Sequence, residues 1–113
     1  MPRLRFALIG LFALLGVAAA APAAAQDTTF KLVAKDGRFT PSDLEVPANR
    51  PLRLEIVNDG TTPIEFESKA LKQERVLKPG AKATVTIGPL KPGSYAFFDE
   101  FHPDTSKGKV VAK

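Results

Sequence analysis

Short runs of alternating apolar and polar residues fill most of the chain from residue 28 onward. In one of them Leu52, Leu54 and Ile56 alternate with Arg53 and Glu55. Because successive side chains of a strand point to opposite faces, a period of two predicts strands with one buried face. Comparable runs cover residues 28–34, 44–46, 52–56, 64–67, 82–87, 97–98 and 110–111.

Turn signals separate these runs. They are Asp36-Gly37, Asn58-Asp59-Gly60, Pro79-Gly80 and Pro92-Gly93. Seven or eight short strands with regular turns predict an all-β fold, a Greek-key antiparallel β-sandwich. The alternation is interrupted between Ser68 and Glu74, and there we expect a single helical turn.

The only tyrosine lies at the start of a predicted strand. The sequence Leu90-Lys91-Pro92-Gly93-Ser94-Tyr95 resembles a tyrosine corner, in which the hydroxyl bonds to the backbone a few residues upstream. We therefore predict a structural role for Tyr95 rather than a catalytic one.

The first 25 residues contain the three parts of a secretory signal. Arg3 and Arg5 precede an almost wholly apolar stretch over residues 6–20, and the small residues up to Ala25 form a cleavage site. A retained membrane anchor is the alternative, but the stretch is short against the roughly 20 residues of a span. We expect cleavage after Ala25, which leaves one domain over residues 26–113.

The composition excludes several kinds of site. The chain has no cysteine, so it has neither a disulfide framework nor a thiolate metal site. Its only methionine is Met1, so residues 26–113 contain no sulfur. The net charge is +4, but the lysines are scattered and form no basic stripe with interleaved aromatic residues. Nucleic acid is therefore not an expected partner.

An acidic and aromatic cluster surrounds the only histidine, His102. Asp99, Glu100 and Asp104 lie within three residues of it, and the neighbouring residues Phe97, Phe98 and Phe101 supply an apolar surround. Carboxylates and an imidazole can form a metal site with nitrogen and oxygen ligands. The alternative is a solvated acidic loop, and the spacing alone does not decide between the two.

A second acidic pair lies upstream, at Glu65 and Glu67. Their spacing of two places both on one face of a strand. If that face is buried, the two carboxylates require a cation between them, whereas a solvated face would make them ordinary polar residues.

The stretch from Gly93 to His102, with Gly108-Lys109-Val110 after it, resembles the copper-binding end of cupredoxins. By position, His102 matches the C-terminal copper histidine of that family and Asp99 stands at the place of the thiolate cysteine. Ser106 lies near the place of the axial methionine, and Ile64 lies at that of the first histidine. The resemblance implies a cupredoxin-like fold over residues 26–113, while the missing sulfur implies that no type 1 blue copper site forms.

The strings PIEFES, FFDEFHP and GKVVAK show a narrower resemblance. They are similar to the periplasmic cupredoxin-like component of bacterial ferrous-iron uptake systems, which pair an iron permease with exported metal-binding proteins. The resemblance implies a periplasmic protein that binds a copper or iron ion. Its implied partners are a membrane iron permease or a companion periplasmic iron-binding protein. Its implied metal ligands are Glu65, Glu67, Asp99, Glu100 and His102.

Three functions are compatible with these residues. Hard oxygen ligands favour Fe(III) over Fe(II), so the protein could assist iron uptake by oxidising Fe(II) for a permease. It could instead be a metal carrier without turnover, or a metal-free module that docks on a membrane transporter. The sequence leaves open whether the protein is an enzyme.

Overall fold

A computed structural model describes residues 28–113, together with Gly16. The predicted signal over residues 1–25 therefore lies, apart from Gly16, outside the described residues. Within the described part of the chain there is no helix long and apolar enough to cross a membrane.

Residues 28–113 form nine strands, which occupy every region where the sequence alternates. The strands are β1 (Thr29–Lys35), β2 (Arg38–Thr40), β3 (Asp43–Val46), β4 (Leu52–Asn58), β5 (Ile64–Ser68), β6 (Gln73–Leu77), β7 (Lys82–Ile87), β8 (Gly93–Asp99) and β9 (Gly108–Ala112).

The strands make two sheets, one with the order β2-β1-β4-β7 and one with the order β3-β9-β8-β5-β6. This confirms the predicted all-β sandwich. Two pairs, β1 with β4 and β3 with β9, run parallel, so both sheets are mixed. The partners of each parallel pair are distant in sequence, since parallel neighbours cannot be joined by a tight hairpin and need a crossover connection.

The segment from Ser68 to Glu74 is not helical, and the expected helical turn is wrong. A tight turn follows β5, and the chain returns as β6 in an antiparallel hairpin. The hydroxyl of buried Ser68 accepts a hydrogen bond from the Leu71 amide at 3.0 Å, and Lys72 has a φ of 56°. A left-handed residue reverses the chain direction, so the turn cannot continue as a helix.

The core lies between the two sheets and is built from the apolar positions of the alternating strands. Within it Phe39, Phe66 and Phe97 pack against one another, with ring centroids 5.3–5.7 Å apart. These rings come from β2, β5 and β8, so the aromatic cluster joins both sheets near the end of the sandwich that carries Asp99.

The tyrosine corner is present. The Tyr95 hydroxyl donates a hydrogen bond to the carbonyl of Lys91 at 2.7 Å. This contact closes the turn before β8 and confirms the structural role predicted for Tyr95.

Candidate metal centre

Strand β5 divides its side chains between the core and the outer face of the sheet. Ile64 and Phe66 are buried, whereas Glu65 and Glu67 are half-buried on the outside. The two glutamates therefore share one face, as their spacing predicts, and that face is neither fully buried nor fully solvated.

Glu100 joins them from the end of β8. Its amide donates to the carbonyl of Glu65 at 2.9 Å, which continues the pairing of β5 with β8 by one residue beyond Asp99. As a result, one carboxylate oxygen from each of Glu65, Glu67 and Glu100 lies within 4.8 Å of the others. This distance is short enough for one cation to contact all three.

Glu74 of β6 is a fourth acidic residue at this site, and sequence reasoning missed it. It lies directly opposite Glu67 in the β5–β6 register, and it is close enough to Glu65 to raise the pKa of that carboxyl group. The signal was hidden because the region of Glu74 shows no alternation, so its strand was not predicted. We call Glu65, Glu67, Glu74 and Glu100 the glutamate face.

Crowding on this face shifts two of its carboxyl groups. The hydrogen bond with Glu74, followed by partial burial and the charge of Glu100, raises the pKa of Glu65 to about 7. The hydrogen bond with Glu100, followed by partial burial and the charges of Glu100 and Glu74, raises the pKa of Glu67. In both cases hydrogen bonding to a neighbouring carboxyl group, loss of solvent and the nearby negative charges all favour the protonated form, in that order.

Asp99 and His102 form a separate pair at the end of the sandwich. Asp99 is 1% exposed, and its Oδ2 lies 2.7 Å from Nδ1 of His102. Its Oδ1 accepts hydrogen bonds from the amides of Glu65, at 2.9 Å, and Phe101, at 3.0 Å. Every oxygen of this buried carboxylate therefore has a protein partner.

The structure thus brings three of the five predicted ligands together and pairs the other two with each other. The division follows from the strand: Asp99 points inward and Glu100, the next residue, is exposed. The ligand role of all five residues stays a prediction.

The aromatic residues of this segment have different environments. Phe97 is 1% exposed and belongs to the core, Phe98 is half-buried, and Phe101 is 50% exposed. The three phenylalanines therefore do not form one apolar shell around His102, since Phe97 lies in the core and the other two lie at or near the surface.

Asn58 closes the loop before β5, where sequence reasoning saw only a turn. It is fully buried, and its amide donates to the carbonyls of Thr62 and Leu77 at 2.8 and 3.0 Å. Its Oδ1 accepts from the Gly60 amide at 3.0 Å. An open pocket beside it is lined in part by Ile64, Asp99 and His102.

The residues at this end do not fit a type 1 copper ion. Ile64, at the place of the first histidine, has no ligand atom in its side chain, and Asp99 offers a carboxylate already engaged by three donors. Ser106 is 1% exposed and its hydroxyl is bound to the backbone of Asp99. The oxygen donors of the glutamate face fit a harder cation instead.

Comparison with known sequences identifies a family match. The family model for the cupredoxin-like domain matches residues 6–112. An uncharacterized protein of Rickettsia prowazekii (strain Madrid E) is 40% identical over 81 residues, which are 72% of this chain and 65% of that protein. The chain thus spans just under two thirds of the length of this relative.

Solved structures share the fold at low identity. A purple cupredoxin from Nitrosopumilus maritimus has a TM-score of 0.57 and 18% identity, covering 74% of this chain and 98% of that one. Auracyanin A from Chloroflexus aurantiacus has a TM-score of 0.63 and 13% identity, covering 75% and 98%. A chain of a heme-copper terminal oxidase has a TM-score of 0.62 and 15% identity, covering 78% of this chain and 66% of that one.

Proposed function

This chain belongs to the cupredoxin-like domain family, and from that premise we propose that it binds copper or iron through the carboxylates of its glutamate face. The family is one of metal-binding and electron-transfer proteins, typically of copper. The finer proposal concerns a hard-ligand site on the outer face of the five-stranded sheet rather than a thiolate site at the end of the sandwich.

The observation that carries the proposal is the convergence of Glu65, Glu67 and Glu100 within 4.8 Å. Ionised carboxylates this close repel one another, and this repulsion adds to hydrogen bonding and partial burial in raising the pKa values of Glu65 and Glu67. A bound cation would remove it and replace hydrogen bonds between carboxyl groups with coordination bonds.

The ligand chemistry supports particular ions. Carboxylate oxygens favour Fe(III) over softer ions, and Cu(II) stands at the top of the affinity order of divalent first-row metals. Cu(I), which prefers sulfur, would bind poorly to a site of oxygens alone.

We place this activity in ferrous-iron uptake, in the periplasm. The strings PIEFES and FFDEFHP support that assignment, as does the signal-like N-terminus. A site on the outer face of the sheet, with Glu100 exposed and Glu65 and Glu67 half-buried, suits exchange of a metal ion with a membrane iron permease or a companion periplasmic iron-binding protein. The similarity of fold to a chain from a heme-copper terminal oxidase structure agrees with docking on a membrane partner.

Metal titration of single variants tests the proposal. Calorimetric titration of the exported chain with Cu(II) and with Fe(III) is expected to give one site, which weakens at least about tenfold in Glu67→Gln and in Glu100→Gln, since each loses a charged ligand. Glu55→Gln on β4, in the opposite sheet, is the matched control and should keep the wild-type affinity. Equal affinities in all four proteins would refute the site.

A second measurement distinguishes an Fe(II) oxidase from a metal carrier. An oxidase would transfer one electron from Fe(II) to bound Cu(II), giving Fe(III) and Cu(I), and dioxygen, reduced to water with protons from the solvent, would reoxidise the copper. Oxygen consumption on adding Fe(II) to the copper-loaded protein, lost in Glu67→Gln, would identify an oxidase. Stoichiometric binding without oxygen consumption would identify a carrier.

A further inference from the structure

We propose that Asp99 is a positioning residue. Its buried carboxylate joins separate segments of the chain by hydrogen bonds, as a metal ion joins them by coordination at this end of a copper-binding cupredoxin. It holds the two segments that carry Glu65 and Glu100 in register, without contacting the cation itself. The effect of Asp99 on cation affinity rests on the proposed function. The hydrogen bonds by which Asp99 joins the chain segments at this end of the sandwich do not depend on it.

The contacts of Asp99 join three segments of the chain. Its Oδ1 accepts from the amide of Glu65 at the start of β5 and from the amide of Phe101 in the following turn. Its Oδ2 contacts the imidazole of His102 at 2.7 Å. A type 1 copper ion likewise joins ligands from separate segments, but these hydrogen bonds require no ion.

The imidazole is itself fixed from the other side. Thr105 Oγ1 donates to the carbonyl of Gly37 at 2.6 Å. This bond holds the β1–β2 turn against the His102 side chain. A Cβ atom added to Gly37 would lie 3.1 Å from Cδ2 of His102, so the glycine packs closely on the ring. Packing as well as hydrogen bonding therefore restrains the pair, although the His102 side chain remains 35% exposed.

The link to the glutamate face passes through the backbone of Glu65. The Glu65 amide is bound by Asp99 Oδ1, and the Glu65 carbonyl is bound by the amide of Glu100. These two bonds, on opposite sides of one residue, set the position of Glu65 relative to Glu100. Loss of the Asp99 carboxylate would free the start of β5 and loosen the spacing of the carboxylates.

Three variants of the exported chain distinguish positioning from ligation and from simple support of the fold. Asp99→Asn keeps an oxygen for the Glu65 and Phe101 amides and turns an NH2 group toward His102, whose Nδ1 accepts it in the tautomer protonated at Nε2. Asp99→Ala removes both groups. Ser106→Ala is the matched control, since the Ser106 hydroxyl bonds only the backbone of Asp99.

Titration with Cu(II) gives the first readout. We expect Asp99→Ala to weaken binding about 10–100-fold, as changes to residues that orient ligands do. Ser106→Ala should bind as the wild type does, although it also loses stability. Asp99→Asn should stay within about threefold of the wild type, whereas a direct ligand would lose far more on neutralisation.

Amide hydrogen exchange at Glu65, in buffer with a chelator, gives a readout that needs no metal. We expect slow exchange in the wild type, Asp99→Asn and Ser106→Ala, and exchange at least about tenfold faster in Asp99→Ala. If Asp99→Ala fails to fold, His102→Gln takes its place. We expect the loss of Cu(II) affinity in His102→Gln to lie between the losses given for Asp99→Asn and Asp99→Ala.

The outcomes separate the two claims. If the wild type binds no cation, the proposed function fails, while exchange at Glu65 that is slow in the wild type and fast in Asp99→Ala still supports the hydrogen-bonding role of Asp99. If exchange at Glu65 is equally slow in the wild type and in Asp99→Ala, the positioning role is overturned whatever the metal affinity. A large loss of affinity in Asp99→Asn with unchanged exchange would make Asp99 a ligand instead.

Discussion

Burial decides what each carboxylate of this protein does. Asp99 is buried and accepts three hydrogen bonds, because a charged oxygen removed from water must find partners in the protein. Glu65 and Glu67 are half-buried and face other carboxylates, so their ionised forms are disfavoured. Side chains of the same chemical type thus take different roles, since Asp99 hydrogen-bonds within the protein and Glu65 and Glu67 lie on the outer face of the sheet.

The tyrosine corner permits a prediction about one atom. Tyr95→Phe removes the hydroxyl that bonds the Lys91 carbonyl and leaves the ring in place. We expect the free energy of unfolding to fall by about 0.5–1.5 kcal/mol, the net value of one hydrogen bond. Urea unfolding followed by circular dichroism measures it, and cation affinity should not change. Unaltered stability would mean that water replaces the contact without loss.

At the scale of elements, length and patterning explain which strands the sequence concealed, because the edge strands β3 and β7 were predicted whereas the edge strands β2 and β6 were not. β2 has only three residues, too few to show a period of two. β6 has four consecutive positions that are exposed or half-buried, including Val76 at 62%, so it shows no alternation. The other seven strands carry their alternation in the sequence because each has one face against the core.

Strand β9 passes so close to Ser42 and Phe97 that Gly108 has no room for a side chain. A Cβ atom there would lie 2.6 Å from ring atoms of buried Phe97 and would also collide with the carbonyl of Ser42. Neither can move away, since one is core and the other backbone. We expect Gly108→Ala to lower the free energy of unfolding by about 1–3 kcal/mol, as overpacking does.

Gly88→Ala is the control for that substitution, because nothing lies within 4 Å of the added methyl group. Chemical denaturation of both variants should therefore separate them clearly. Equal stabilities would show that β9 shifts to accommodate the methyl group.

At the scale of the whole molecule, the glutamate face links stability to pH. The pKa of Glu65 is raised from 4.5 to about 7, so the native state holds more protons than the unfolded state between these values. The stabilising contribution is therefore complete below about pH 4.5 and is lost as the pH rises through about 7. Glu67, whose pKa is also raised, acts in the same direction.

We expect the thermal midpoint in chelator to fall between pH 5 and 8 more steeply in the wild type than in the double variant Glu65→Gln and Glu67→Gln, since the amides do not titrate. The difference between the two curves isolates these groups from all other titrations. Added Cu(II) should raise the wild-type midpoint at pH 7.5 and leave that of the double variant unchanged, because a ligand stabilises only the state that binds it. Parallel curves would show that the carboxylates do not interact as described.

The sequence by itself determined the all-β class, the positions of seven strands, the tyrosine corner and the absence of any sulfur ligand beyond residue 25. These features are local, because the alternation of a strand and the chemistry of a side chain can be read from adjacent residues. Only the tertiary structure decided that Glu74 and Glu100 join Glu65 and Glu67, and that Asp99 pairs with His102. The register between strands distant in the chain sets those contacts, and register depends on how the two sheets pack rather than on any one segment.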